Sequence, residues 1–239
     1  MNVAPGFRPL YRQVYDLLVR RIAEGAWRPA EALPSEQALA AELGVSQGTV
    51  RKALDALASE KLVERRQGKG TYVAEHTQER ALFQFFRLAR ADGERVTPES
   101  GPAWITRRPA TATEQAKLAL PSAAPVIEIH RTRLIDGEPA ISETIVLPVA
   151  IFPDIDRHDP LPNTLYSLYQ SNYGVSVATA EEELRADAAT KDDAKRLKVP
   201  VGAPLLNIDR VAIAIDGKRV EWRSSRCDTR HLVYAVTIR

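Results

Sequence analysis

The 239-residue chain has a single cysteine, Cys227. No intramolecular disulfide can form, and a reducing, cytoplasmic location is the expectation. Long apolar runs are missing as well. The N-terminal residues carry none, so no secretory signal is expected. The most apolar stretch, Ile145 to Phe152, is short and broken by Pro148, too little for a bilayer-spanning helix; no membrane partner is expected. Histidine is scarce. His76, His130, His158 and His231 are scattered without ligand-like spacing, which argues against a structural zinc or other metal site. Neither metal nor cofactor is expected. Charge of one sign is not in excess either: 33 Lys and Arg face 31 Asp and Glu, a net +2. That balance excludes a diffuse polybasic tail. It leaves DNA binding open, because only the local face that meets the phosphates has to be basic.

What is present suits two domains by length. Pro9 and Leu10 open a helix with apolar residues at Leu10, Val14, Leu17, Leu18 and Ile22, ended by Gly25 and Pro29. Ser35 is placed to cap a second, short helix whose buried stripe is Leu39 and Leu43, and Gly44 stops it. Ser46 then caps a third helix with an inner face of Val50, Ala53, Leu54 and Leu57. Two short helices joined by a tight glycine-containing turn form a helix-turn-helix, in which the second helix enters the major groove of DNA by its N-terminal end.

The outer face of that helix carries Gln47, Gly48, Arg51 and Lys52. Gln47 and Arg51 project from one side, and their side chains can grip adenine and guanine edges with paired hydrogen bonds. On its own such a face is equally an ordinary solvated surface. The next residues favour DNA. Leu62 to Arg66 reads as a strand, Gln67-Gly68-Lys69-Gly70 as a tight turn and Thr71 to Val73 as the return strand. Arg65, Arg66 and Lys69 make the tip of this wing basic. Gly68-Lys69-Gly70-Thr71 lacks the full spacing and following helix of a nucleotide phosphate loop.

Leu33-Pro34-Ser35-Glu36, Leu39-Ala40, Gly44-Val45-Ser46, Thr49-Val50-Arg51-Lys52-Ala53-Leu54 and Gly68-Lys69-Gly70-Thr71-Tyr72-Val73 together resemble the signature of the GntR family. The resemblance implies that Ser46, Gln47, Thr49 and Arg51 contact DNA and that Gly68 to Thr71 lie along the groove. The DNA-facing set is taken as Ser35, Gln37, Ser46, Gln47, Thr49, Arg51, Lys52, Arg65, Gly68, Lys69, Gly70 and Thr71. Two departures bear on the operator. Gln37 stands where many members have a contacting arginine, and Gln47-Gly48 replaces a pair that is often Arg with Thr or Met. The family's usual operator cannot be assumed.

From Glu75 to Arg90 a charged segment is interrupted by Leu82, Phe83, Phe85 and Phe86, which predicts a helical or mixed linker packed on a second domain. Ala91 to Pro102 reads as a loop. Beyond it lies an internal repeat: Leu118 to Arg131 lines up with Leu197 to Arg210. Each copy follows a short helix-like segment and runs through a strand to an Asp-Gly turn, at Asp136-Gly137 and Asp216-Gly217, a strong hairpin signal. Two helix-plus-hairpin units imply one mostly antiparallel sheet with flanking helices, an α+β layout.

Strand parity places Ile127, Ile129, Arg131, Arg133 and Ile135 on one face, and Ile141, Glu143, Ile145 and Leu147 on one face of the next strand. Charges on apolar faces must pair with each other or meet a polar ligand. Both alternatives, an internal Arg–Glu ion pair and an anion-holding pocket, stay open at this point. Glu221 is a further carboxylate candidate on the second hairpin.

Ile129-His130-Arg131-Thr132-Arg133, Asp136-Gly137-Glu138-Pro139, Glu143, Thr164-Leu165-Tyr166, Tyr173-Gly174-Val175, Gly202-Ala203-Pro204-Leu205-Leu206 and Val220-Glu221-Trp222 make this half similar to UTRA, the effector-binding domain of the HutC subfamily, whose fold is like chorismate lyase. The resemblance implies Arg131, Arg133, Glu143, Thr164, Tyr166 and Glu221 as effector contacts. Phe83-Gln84-Phe85-Phe86 stands where sugar-phosphate-sensing members carry Ser-Phe. Sugar phosphate, carboxylate and amino-acid-like effectors therefore all stay in play. The expected organisation is a winged helix-turn-helix at 8–75, a linker at 76–102 and an effector-binding domain at 103–239. The expected function is that of a homodimeric, non-enzymatic transcription regulator binding operator DNA under control of a small molecule. An enzyme of lyase-like fold with a DNA-binding appendage, and a DNA-binding protein without an effector, are the alternatives.

Overall fold

The computed structural model describes residues 8–77, 79, 80, 85–158 and 160–237; Leu82, Phe83 and Gln84 of the expected linker lie outside the described residues. Three helices open the chain: α1 (Leu10–Ala23), α2 (Glu36–Leu43) and α3 (Gln47–Ser59). Local chemistry sets their ends. The Ser35 hydroxyl accepts from Ala38 N, Ser46 from Thr49 N, and Gly44 ends α2 in the left-handed region at φ 64°. Val50, Ala53, Leu54 and Leu57 of α3 are all buried against Val14, Leu18 and Ile22 of α1 and Leu39 of α2. Leu10, in the first turn of α1, is half exposed, whereas Val14, Leu18 and Ile22 are buried. The wing follows as β1 (Val63–Arg66) and β2 (Gly70–Val73), paired antiparallel. Gly68 and Gly70, at φ 69° and 109°, supply the turn that L side chains resist.

The second half is an antiparallel sheet in the order β4-β5-β6-β9-β8-β7. Its strands are β4 (Glu99–Pro109), β5 (Pro125–Ile135), β6 (Glu138–Pro148), β7 (Val177–Ala188), β8 (Pro204–Ala214) and β9 (Arg219–Asp228). The order is symmetric about the β6–β9 pair, as the sequence repeat requires. Each half contributes an outer strand, a helix and a hairpin. The equivalent helices α4 (Ala112–Leu118) and α6 (Lys191–Leu197) even share their caps: Thr111 with Glu114, and Thr190 with Asp193, form capping boxes. Both helices end left-handed, at Ala119 and Lys198.

These two helices cover one face of the sheet. The other face is covered by α5 (Leu165–Tyr173), whose Leu165, Tyr166, Leu168 and Tyr169 pack on Ile127, Ile129, Ile145 and Leu147. Part of the stretch read as loop is strand. Strand β4 already begins at Glu99, inside the expected loop, and the end of the expected linker forms a short β3 (Leu88–Arg90) that pairs with β10 (Leu232–Tyr234). Residues 99–102 join the sheet through a register shift between Ser100 and Ala103. Gly101 is needed there, since a Cβ would stand 2.9 Å from the Thr132 carbonyl oxygen.

The two halves meet through Gln170 of α5. Its side-chain amide donates to Ala74 O at 3.0 Å and Ser176 Oγ at 2.9 Å, and its oxygen accepts from His76 N at 2.7 Å. Ala178 and Ile215 pack on the core of the helical half.

Candidate functional site

In the helical half, Gln37, Ser46, Gln47, Arg51, Lys52, Arg65, Gly68, Lys69 and Gly70 are exposed. They belong to α2, the start of α3 and the wing. Lys52 holds its ammonium 4.2 Å from the centre of the Tyr11 ring, and Arg66 lies at the same distance over Tyr72. Ser35 and Ser46 spend their hydroxyls on capping, and Ser46 Oγ is also 2.9 Å from Thr49 Oγ1. Thr71 departs from the expectation. It is buried, with its carbonyl holding Leu33 N at 2.8 Å, because the wing strand that carries it doubles as a wall of the helical core.

Glu36, which the sequence reading did not single out, lies among these residues. Its Oε2 accepts from Arg51 Nε at 2.9 Å and lies 3.4 Å from Gln47 Nε2, and its Oε1 is 3.1 Å from Arg65 Nη2. The Arg51 hydrogen bond leads the influences that hold the Glu36 carboxyl below the usual range.

In the sheet half, the parity argument places Arg131 and Arg133 of β5 beside Glu143 of β6, and all three are buried. Arg131 Nε is 2.5 Å from Glu143 Oε2, and Arg133 Nη1 is 3.6 Å from the same oxygen. The pairing of β6 with β9 adds Arg223, whose Nη1 is 3.3 Å from Glu143 Oε1. Burial alone would raise the Glu143 carboxyl; Arg131, Arg223 and Arg133 overcome that and hold it well below its ordinary value. Glu182 of β7 pairs with Arg210 of β8, at 2.6 Å from its Nε.

Glu221 is completely buried. It accepts from Tyr169 Oη at 2.6 Å, Tyr166 Oη at 3.2 Å and Arg223 Nη2 at 2.8 Å. It does not line the adjacent cavity. It sits behind Arg223, because its strand runs under the rings of α5.

That cavity has a volume of about 60 Å³. Arg131, Arg133, Glu143, Thr164 and Tyr166 line it, and so do Phe85, Asn163, Arg210 and Arg223. The last four were missed by the sequence reading. Arg210 was within reach of it, since the repeat aligns Arg210 with Arg131. The cluster holds one more guanidinium than carboxylates: Arg131, Arg133, Arg210 and Arg223 face Glu143, Glu182 and Glu221. The unmatched charge falls on Arg133, which donates to neutral oxygens, Asn163 Oδ1 at 2.6 Å, Pro98 O at 3.1 Å and Glu99 O at 3.3 Å. Burial pushes its guanidinium down to about 10. Helix α5 starts at the same cavity. Its N-cap, Thr164, makes no side-chain capping bond, in contrast to Ser35, Ser46, Thr111 and Thr190.

Comparison with known proteins covers both halves. The family model described as bacterial regulatory proteins, gntR family, matches residues 10–73, and that of the UTRA domain matches residues 80–232. The chain is 30% identical over 228 residues to the mannosyl-D-glycerate transport/metabolism system repressor MngR of Escherichia coli K12, covering 94% of this chain and 93% of the relative. It is 29% identical to the HTH-type transcriptional repressor NagR of Bacillus subtilis, covering 91% and 89%. It is 30% identical to the histidine utilization repressor of Pseudomonas putida, covering 87% and 84%. Among solved structures, the ligand-binding domain of a protein described as a GntR-family transcriptional regulator from Bordetella bronchiseptica superposes with a TM-score of 0.60 at 29% identity, covering 65% of this chain and 98% of that one. PhnF of Mycobacterium smegmatis shares the fold along 94% of the chain, with a TM-score of 0.55 at 22% identity.

Proposed function

The chain belongs to the GntR family of bacterial transcription regulators, with a C-terminal UTRA domain, and from that membership we propose that it is a repressor released from its operator by a small anionic metabolite. The observation that carries the anionic character is the unmatched buried guanidinium of Arg133. Its hydrogen bonds go to neutral oxygens, and its ion pair with Glu143 Oε2 is long, at 3.6 Å, and shared with Arg131, so it gains most from a further negatively charged partner. Arg131 beside it and the uncapped N-terminus of α5, where helix amides favour negative charge, aim at the same space. Arg131, Arg133, Thr164, Asn163 and Tyr166 are the assigned effector contacts. Glu143 orients the guanidiniums, and Glu221 acts through Arg223.

Metabolite sites usually measure ~300 Å³ or more, so entry of an effector has to push the cavity walls apart. Phe85 is one of those walls. Its ring lies 4.9 Å from that of Tyr166 and 6.3 Å from that of His76. His76 in turn is tied by its backbone to Gln170, the residue that joins the sheet half to the end of the wing. An effector that binds the widened arrangement more tightly shifts the population toward it and changes operator affinity by that difference. The DNA-binding form is a homodimer on a two-fold-related operator, placing paired α3 helices in successive major grooves. It works in the cytoplasm.

The test is a thermal-shift screen of sugar phosphates, dicarboxylates and amino acids on the full chain. Anionic hits that vanish in Arg133→Met, in a variant that still folds, support the reading. Hits confined to neutral compounds, or unaffected by that substitution, reject it.

A further inference from the structure

One carboxylate holds three of the side chains assigned to DNA, and they come from separate elements. Glu36 is the first residue of α2, Gln47 and Arg51 belong to α3, and Arg65 to the first strand of the wing. Arg65 Nη2 also lies 3.0 Å from Asp55 Oδ1 and 3.4 Å from the Arg51 carbonyl oxygen. A carboxylate at the start of a helix is favourable by itself through the helix dipole, but that role calls for no cationic partners. Here two guanidiniums and an amide converge on it.

The geometry of the Arg51 contact matters. Nε and Nη2 are both 2.9 Å from Glu36 Oε2. That engages the Nε edge of the guanidinium and leaves the Nη1–Nη2 end, the fork that grips guanine O6 and N7, facing away from the carboxylate. An exposed arginine without such a partner samples many rotamers, and it binds any phosphate within reach.

We infer that Glu36 is a specificity-determining residue of the DNA interface: it fixes Arg51 and Gln47 in their base-reading pose, ties the wing arginine Arg65 to the same point, and discourages both arginines from settling on phosphates of unrelated sequence. Glu36 acts through these side chains and is a positioning residue. The inference rests on the reading of α3 as the DNA-reading helix.

The experiment uses the full chain and two duplexes: one selected by the wild-type chain from a random-sequence duplex library, and a scrambled duplex of the same length and composition. In Glu36→Gln the preference for the selected duplex falls at least tenfold, while affinity for the scrambled duplex is unchanged or raised. Glu36→Asp keeps the charge but withdraws the carboxylate by a methylene. It loses preference too, with wild-type salt dependence on the scrambled duplex. Parallel loss on both duplexes in Glu36→Gln, as a purely structural role would give, overturns the inference. So does a preference kept within twofold in either variant. Arg51→Ala separates the two levels of the argument. If it loses the preference and the Glu36 variants do not, only this inference falls; if it keeps the preference, the reading of α3 falls with it.

Discussion

Arg131 and Glu143 are register partners on adjacent strands, and Nε of one lies 2.5 Å from Oε2 of the other with both side chains buried. Breaking this pair on one side leaves charge without compensation in the interior. Glu143→Leu leaves Arg131 and Arg133 without their carboxylate and Arg223 with Glu221 alone, and is expected to cost about 3–5 kcal/mol. The double variant Arg131→Met, Glu143→Leu is expected to cost less than the sum of its parts, since no unpaired charge remains at that pair. Urea unfolding of the four proteins of the cycle measures this.

Acid should destabilise the protein through Glu143. Its carboxyl is held below the ordinary value by the surrounding guanidiniums. In the unfolded chain it takes up a proton near pH ~4.3, whereas in the folded chain it resists until more acid conditions. The stabilisation is therefore complete at neutral pH and is lost as pH falls below about 4 toward the folded value. Melting temperatures between pH 5 and pH 2 are expected to fall more steeply for the wild type than for Glu143→Gln.

A second group acts in a milder window. Burial, with Arg80 adding to it, lowers His76 from 6.5 to about 4. Its Nδ1 is buried without a hydrogen-bond partner, so the folded state keeps the ring neutral. The unfolded chain binds the proton first, so stability present above pH ~6.5 is lost as pH falls from there toward about 4. Proton uptake on unfolding, followed by titration calorimetry or by melting in paired buffers, should diminish in His76→Gln across that window. An unchanged profile would remove His76 from the account.

On DNA, Arg51→Ala is expected to cost about 1–3 kcal/mol on a selected duplex and to relax discrimination at one base position. Lys69→Ala, at the wing tip, should weaken all sequences alike and reduce the slope of log affinity against log salt by about one. Fluorescence anisotropy over a salt series distinguishes the two. Identical slopes for Lys69→Ala and wild type would remove Lys69 from the phosphate contacts.

The readable parts of the candidate sites were those with local or periodic causes. Ser35, Ser46 and Gly44 mark helix ends because capping is decided within a few residues, and all three act as the sequence predicts. Arg131, Arg133 and Glu143 share a buried face because strand parity is a local property. Thr71, placed at the groove by the family resemblance, has a buried side chain, because a motif match places the segment and not the side of the wing strand that packs on the helical core. Glu221 shows the same limit, since it is buried among tyrosines of α5 rather than open to the cavity. The start of β4 was missed because Gly101 and Pro102, ordinary loop residues, sit in a strand at a register shift.

The sequence by itself determined the helix-turn-helix, the wing, the two helix-plus-hairpin units and their symmetry, through caps, turn residues, hydrophobic period and an internal repeat. Only the tertiary structure decided which charges meet. Pairing of β6 with β9 put Arg223 against Glu143, and β7 with β8 put Glu182 against Arg210. Packing of α2 against α3 and the wing gathered Gln47, Arg51 and Arg65 on Glu36. These contacts join residues 11 to 80 positions apart, and side-chain electrostatics act through space, so no local pattern in the chain encodes them.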